Sequence, residues 1–387
     1  MKIGINGRFL QYPYTGIGQY TIQLLREFSK MKRERRDEVH HLDFVIAVPN
    51  EQCIEQMQLE NIDLPAVVIP EKEWLGKSLG KHWWEQVQVP GFFHEQKVNV
   101  IWLPYPCVRW FKKSADKTIV TVHDTIPWTS KKYQRRLFSR LAHRMSRVAT
   151  SQADHIITVS ETSAKNIMWL CGIPEKNITV IENGVSEIFH KLISQDVMSE
   201  VLGKFGLQNG KFFLYVGGYD ARKNVKLMVE SYRKYCESHT CEYPLVLVGG
   251  KSHEDSLYAD FDGALTEPEN SRTVIKKTGF LSDTDLAALY QASRGFVHFS
   301  SQEGFNIPLA QAMVSHLPLL ISDTDIHHEI AGDDAIYVQT EGENSLEKGW
   351  DTLIHSQTHT LSKDYSHRFS WDRSAHAHLR TFKRISL

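Results

Sequence analysis

Two neighbouring cations, Arg222 and Lys223, stand in YVGGYDARKN shortly after an apolar run. At a strand end such a pair suits a diphosphate, because a guanidinium binds two oxygens at once and an ammonium acts as a point charge. Solvated surface charge is the alternative. In SSQEGFNIPLAQAM, Glu303 and Gly304 follow the strand-like GFVHFS, and a helix is predicted from Ile307 with Pro308 tolerated in its first turn. Backbone amides of Gly304, Phe305, Asn306 and Ile307 would then point at an anion, with Glu303 beside it. An ordinary capping role for Glu303 is the alternative there. A third stretch, TVHDTIPW, puts His123 and Asp124 at the exposed, polar end of an apolar strand, where a histidine either meets ligand or makes a structural hydrogen bond.

The opening KIGINGRFLQYPYTGIGQY runs from a strand-like segment into glycines, as a dinucleotide fold does. Its spacing fails that fingerprint, which needs three glycines in one tight strand-to-helix turn. Gly4 lies inside the apolar run, Gly7 follows it, and Gly16 and Gly18 come nine residues later, with Thr21 where a third glycine belongs. NAD is therefore not the expected ligand. Gly16 and Gly18 open the helical pattern QYTIQLLREF, whose free amides suit an anion. Simple chain reversal is the other reading.

These groups need a scaffold. Short β-rich runs (DFVIAVP, AVVIP, NVIWLP, TIVTVHD, HIITVS, ITVIENG) recur along the first half, several of them separated by helical patterns. The rhythm restarts at FFLYVGG and continues through LVLVGG, TVIKKTGF, GFVHFS, LLISD and AIYVQ. Nearly continuous apolar strands alternating with helices predict parallel sheets covered on both faces. The expected class is α/β with two doubly wound, Rossmann-like domains, 1–190 and 211–370, joined by a linker at 191–210. At 387 residues the chain exceeds the size of one core, which agrees with two domains. In such sheets ligands bind beyond the carboxyl ends of the strands, so a cleft between facing domains is expected.

Forty-five basic against 46 acidic side chains, a net charge of −1, argue against nucleic acid as a partner. Five cysteines without a CxxC pair suggest neither a disulfide framework nor a zinc ribbon, and fit a reducing cytoplasm. No leader or membrane-length apolar run is expected. The triplets Asp283 to Asp285 and Asp323 to Asp325 read as helix openings rather than metal sites, and HHE at 327 to 329 lacks zinc-protease spacing, so no metal is assigned. Residues 131 to 148 carry Tyr133, Leu137, Leu141, Met145 and Val148 at helical spacing, with Arg and Lys on the other face. Such a helix can lie on an anionic membrane surface.

Taken in order, TGIGQYT, WEQVQVP, HDTIPW, TVSETSAKNI, VIENGV, GGYDARKN, TGFLSDTDLAALYQAS, EGFNIPLAQAM and EIAGDDAIYV resemble glycosyltransferase family four over nearly the whole chain. The resemblance implies the GT-B fold and retaining transfer from a nucleoside diphosphate sugar, without a metal cofactor. It implies that Gly16 and Gly18 approach the donor phosphates and that His123 contacts the transferred sugar. Arg222 and Lys223, with Gly218 in the same turn, would neutralise the leaving diphosphate, backbone around Phe280 and Leu281 would hold the nucleobase, and Glu303 would face the donor sugar. It further implies that a terminal helix at 371–387 crosses back to the first domain. A glycan or lipid-linked acceptor in cell-surface polysaccharide synthesis, with peripheral membrane contact, is the matching partner class. GDP-mannose is the expected donor by the style of these motifs.

Two positions depart from the family pattern. Gln311 stands where the second glutamate of the family's E-x7-E motif holds the ribose hydroxyls, and an amide oxygen can still accept from a hydroxyl. His316 replaces a small residue. The Gln311 change motivates a catalytically weak or silent nucleotide-sugar-binding subunit as the alternative. A glycosidase using Glu303 and Asp124 is a further rival, though it would leave the basic pair unexplained.

Overall fold

The computed structural model describes residues 1–72, 74, 76–107, 117–130, 137–239, 243–250, 274–356 and 363–386. The chain divides into two compact units, one of residues 1–184 plus the carboxyl-terminal segment from Ser370, the other Val185–Phe369.

Unit 1 holds strands β1 (Lys2–Asn6), β2 (Asp43–Val48), β3 (Ala66–Val68), β4 (Val100–Leu103), β5 (Lys117–Val122), β6 (His155–Thr158) and β7 (Ile178–Val180). Their order is β3-β2-β1-β4-β5-β6-β7, and every pairing is parallel. Unit 2 holds β8 (Phe213–Val216), β9 (Leu245–Val248), β10 (Ile275–Gly279), β11 (Gly295–His298), β12 (Leu319–Ser322) and β13 (Ile336–Val338). These run β10-β9-β8-β11-β12-β13, again all parallel. Central strands such as VIWL, FLYV and LVLV are buried at every position, which accounts for their unbroken apolar sequence. β11 is equally buried although it ends on a histidine.

In both sheets the winding reverses beside the first strand, between β1 and β4 and between β8 and β11. Side chains following those strands are the ones a doubly wound sheet offers to ligand.

The boundary falls at Gly184 rather than 190, and the stretch expected as a linker is structured. The helix Gln195–Phe205 occupies it as part of unit 2, capped by Ser194, whose side chain accepts from Val197 N–H, and a short helix Glu187–His190 precedes it. Sparse apolar residues there hid a helix that buries only Met198, Val201 and Leu202. The terminal helix Trp371–Ser386 groups with unit 1, where His378 Nε2 meets Tyr20 Oη at 2.6 Å. Of the basic amphipathic stretch, Tyr133 lies outside the described residues. The helix is described from Leu137 to Ser151, with Met145 half-buried and Val148 exposed.

Candidate functional site

In unit 2, the turn after β8 carries Asp220, Arg222 and Lys223. Asp220 caps a short 3-10 turn, its carboxylate accepting from Arg222 N–H at 2.9 Å and from Arg222 Nε at 3.2 Å. Asn224 then takes a left-handed backbone, φ 49°, and its amide donates to the Phe299 carbonyl at 3.0 Å. Ser301 N–H returns a bond to the Arg222 carbonyl at 2.8 Å, so the loops after β8 and β11 are knitted together.

Across that seam lies Glu303. Lys223 Nζ donates to its Oε1 at 2.5 Å, and Arg222 Nη1 to its Oε2 at 2.8 Å. Burial alone would raise the Glu303 pKa, but the charges of Lys223 and Arg222 outweigh it and hold the carboxyl far below its ordinary value. Lys223 is pulled down by burial, with Arg222 beside it, against the upward pull of Glu303. Two carboxylates and two cations thus form one charge-balanced knot at the β8/β11 switch point. Glu303 does not cap the following helix. That role belongs to Asn306, φ 74°, whose side chain accepts from Leu309 N–H at the start of Ile307–Val314.

Gln311 lies one turn into that helix, and the Tyr290 hydroxyl lies 3.1 Å from its Oε1 and 3.0 Å from the Pro308 carbonyl. The one hydroxyl hydrogen is shared between these two acceptors, so the amide oxygen expected to receive a ribose hydroxyl keeps a lone pair for it, beside the donating NH2. Phe280 directly follows β10 and is 80% exposed, with Leu281 beside it. Gly218 lends its carbonyl to the Tyr215 hydroxyl at 2.7 Å, fixing the turn before Asp220. His316 takes the left-handed region, φ 57°, in which a small residue costs least. Both aspartate triplets sit at helix starts, with Ser282 capping Asp283–Ala292 and Asp325 opening Asp325–Ala331.

In unit 1, His123 follows β5. The strand-end position expected to be exposed is half-buried: the ring meets Tyr20 edge-on at 4.5 Å, and Nε2 lies 2.9 Å from the Pro104 carbonyl. A carbonyl only accepts, so Nε2 carries the proton and Nδ1 keeps a lone pair. Burial depresses the His123 pKa to about 4, and the ring is neutral near pH 7. Asp124 spends one oxygen on Ile126 N–H at 2.9 Å.

Gly16 opens the helix Gly16–Arg33, but the Gly18 amide is not free for an anion. Thr15, the cap, accepts it at 3.1 Å. A Cβ on Gly18 would lie 2.1 Å from the Tyr12 carbonyl, so close backbone approach explains that glycine.

The resemblance assigned Arg222, Lys223 and Glu303 to one donor without foreseeing that they pair with one another, and Asp220, Tyr290, His298 and His327 were missed. A histidine closing an otherwise apolar strand, GFVHFS, was the available signal for His298.

A family model described as "Glycosyltransferase Family 4" matches residues 14–187, and one described as "Glycosyl transferases group 1" matches residues 200–370. The O-antigen chain mannosyltransferase B of Escherichia coli is 24% identical over 349 residues, covering 86% of this chain and 85% of that protein. Among solved structures, a glycosyltransferase from Rickettsia africae ESF-5 superimposes with a TM-score of 0.69 at 13% identity over 99% of this chain and 98% of its own. Anabaena Alr3699/HepE in complex with UDP gives 0.64 at 15% identity over 100% and 97%. With one match on each unit and the GT-B fold shared with these structures, the chain belongs to glycosyltransferase family 4 and is a group 1 glycosyltransferase.

Proposed function

We propose that unit 2 binds a nucleoside diphosphate sugar and that the enzyme transfers its hexose, with retention, to a hydroxyl of a glycan or lipid-linked acceptor in cell-surface polysaccharide synthesis. One observation carries this: two cations gathered on a buried carboxylate at the switch point of the sheet. Arg222, with its side chain 24% exposed, is the member a diphosphate reaches first. Arriving phosphate oxygens exchange for the Glu303 oxygens on Arg222 and Lys223, and those cations then stabilise the leaving diphosphate as the anomeric bond breaks. Amides of Phe305, Asn306 and Ile307 add donors at a helix start. The departing phosphate oxygen takes the acceptor proton. His123 contributes its Nδ1 lone pair as an acceptor for a sugar hydroxyl. The nucleobase rests on backbone near Phe280 and Leu281, and the Gln311 NH2 donates to a ribose oxygen.

GDP-mannose is the proposed donor, supported by the mannosyltransferase relative. The UDP-bound neighbour keeps UDP sugars in the panel. No metal is needed in this reading, because fixed cations supply the charge. Among the described residues no helix is long and apolar enough to cross a membrane, and peripheral contact with anionic lipid remains part of the proposal. A glycosidase is disfavoured: the depressed pKa excludes Glu303 as general acid, and a role as nucleophile would leave the Arg222 and Lys223 pair unexplained.

Thermal-shift and calorimetric titration with GDP, UDP and dTDP, followed by transfer assays in EDTA, tests the reading. A tight nucleoside diphosphate and EDTA-resistant turnover are expected. Equal indifference to all three nucleotides rejects it. The engagement of Gln311 by Tyr290 favours one second reading, a donor-binding subunit without turnover. Nucleotide binding with no transfer or donor hydrolysis would establish that.

A further inference from the structure

Behind Glu303 lies a buried polar set that the steps above leave unused. His298 ends β11 and His327 lies in the helix Asp325–Ala331; both are fully buried. Asn306 joins them, its Nδ2 3.2 Å from His298 Nδ1 and 3.0 Å from His327 Nε2. An amide nitrogen only donates, so both ring nitrogens accept. His327 therefore bears its proton on Nδ1, 2.9 Å from the Ser322 carbonyl. His298 bears its proton on Nε2, and that buried N–H has no hydrogen-bond partner among the described residues. It stands 4.0 Å from Glu303 Oε1, the oxygen that Lys223 holds at 2.5 Å.

An unmade buried donor is costly, and this one lies 4.0 Å from a carboxylate oxygen. We propose that His298 is a positioning residue for Glu303: when Lys223 and Arg222 turn to the diphosphate, the His298 Nε2–H closes on Oε1 and holds the carboxylate in place through the transfer. This rests on the diphosphate reading above. A shift of about 1 Å brings the pair to ordinary hydrogen-bond length. The donor is neutral: burial first, then Lys223, push the His298 pKa well below 6.5, against the pull of Glu303. Lys223, Arg222, Glu303 and His327 are the charged or titratable groups acting on its ring, and Tyr215 stacks on it at 5.5 Å. The residue that orients His298 is also the cap of Ile307–Val314, so the start of that helix and the aim of the imidazole are set together.

The test compares the full chain with His298→Gln, whose amide nitrogen reproduces the Nε2 donor, and with His298→Asn and His298→Phe, which lack it. Loss of one bond to a charged group predicts that Asn and Phe lower kcat by roughly tenfold or more, with donor KM within about threefold. Their acidic limb of kcat moves to higher pH, because Glu303 takes a proton more readily. Gln restores kcat to within about threefold of wild type. Unchanged kcat and limb in His298→Asn, or Gln as impaired as Phe, overturns the proposal. Should the variants fail to fold, nitrogen NMR of the wild-type imidazole decides. Its Nε2–H signal is expected to move downfield when the best-binding nucleoside diphosphate is added, and a stationary signal overturns the role. Lys223→Ala separates the two levels: wild-type nucleotide affinity in that variant refutes the diphosphate reading, whereas lost affinity there beside an unaffected His298→Asn refutes only the role of His298.

Discussion

After β8 and β11 of unit 2, two carboxylates and two cations are linked by hydrogen bonds of 2.5 to 3.2 Å. After β5 of unit 1, a neutral imidazole lies edge-on to a tyrosine and donates to a carbonyl. The two sheets share a parallel winding that reverses beside the first strand, so the difference owes nothing to backbone architecture. It lies in what each strand end carries. In the proposed reading the charged strand ends of unit 2 meet the leaving diphosphate, and the neutral imidazole of unit 1 accepts from a sugar hydroxyl.

The largest expected effect breaks the ionic side. Lys223→Ala should lower kcat/KM for the donor by about 10²- to 10³-fold, the loss typical of removing one preorganised donor at developing negative charge. It should also destabilise unit 2 by about 3–5 kcal/mol, because Glu303 stays buried with a partner gone. Donor kinetics and urea unfolding read the two effects separately. His123→Ala should cost less, about tenfold to a hundredfold in kcat/KM, since it removes a neutral acceptor rather than a charge. If His123→Ala proved the worse variant, the assignment of charge work to unit 2 would fail.

The acid response sharpens the comparison. In unit 1, His123 and His378 titrate near 4 when folded against an ordinary 6.5, both through burial. The unfolded chain binds their protons first, so their share of stability is complete above pH 6.5 and is lost as pH falls toward 4, by up to about 3 kcal/mol each. Glu303 differs: its folded pKa lies below the ordinary 4.5, so its stabilisation persists above pH 4.5 and disappears only under stronger acid. Unfolding free energies at pH 7, 5 and 4 should therefore fall steadily for wild type. The gap between wild type and Glu303→Gln should hold from pH 7 to 5 and close only below 4.5. A gap that closes between pH 6.5 and 5 would mean that Glu303 is not held by its cations.

How legible this was in the sequence depended on range. Strands such as FFLYVGG and LVLVGG announced a buried parallel sheet, because two covered faces leave no polar alternation to read. Arg222 and Glu303, 81 positions apart, were each visible as a charge after a strand. Their ion pair was not, because a one-dimensional pattern does not say that β8 and β11 are neighbours. The helix Gln195–Phe205 escaped notice because its core-facing stripe is only three residues wide. At Gly18 local pattern left an anion-suited helix start and simple chain reversal both open, and neither showed that its absent side chain makes room for the Tyr12 carbonyl.

The smallest expected effect concerns Gln311. Its amide oxygen lies 3.1 Å from the Tyr290 hydroxyl, so in the proposed site a ribose finds at most one free lone pair there, beside the donating NH2. Gln311→Glu supplies two acceptor oxygens: one keeps Tyr290 and the other takes a ribose hydroxyl, a bond to a charged group worth about 1.5–3 kcal/mol when well placed. Half-exposure and the new negative charge near a diphosphate both reduce that gain. Nucleoside diphosphate affinity should therefore rise by only about three- to tenfold, an increment of about 1 kcal/mol. Tyr290→Phe releases the amide oxygen without adding charge and should change affinity by less than about threefold. Calorimetry on both variants, with the 2′-deoxy nucleotide as control, locates the effect at the sugar. A gain in Gln311→Glu that survives removal of the 2′-hydroxyl would place this side chain away from it, and unchanged affinity with the normal nucleotide would remove Gln311 from the nucleotide site altogether.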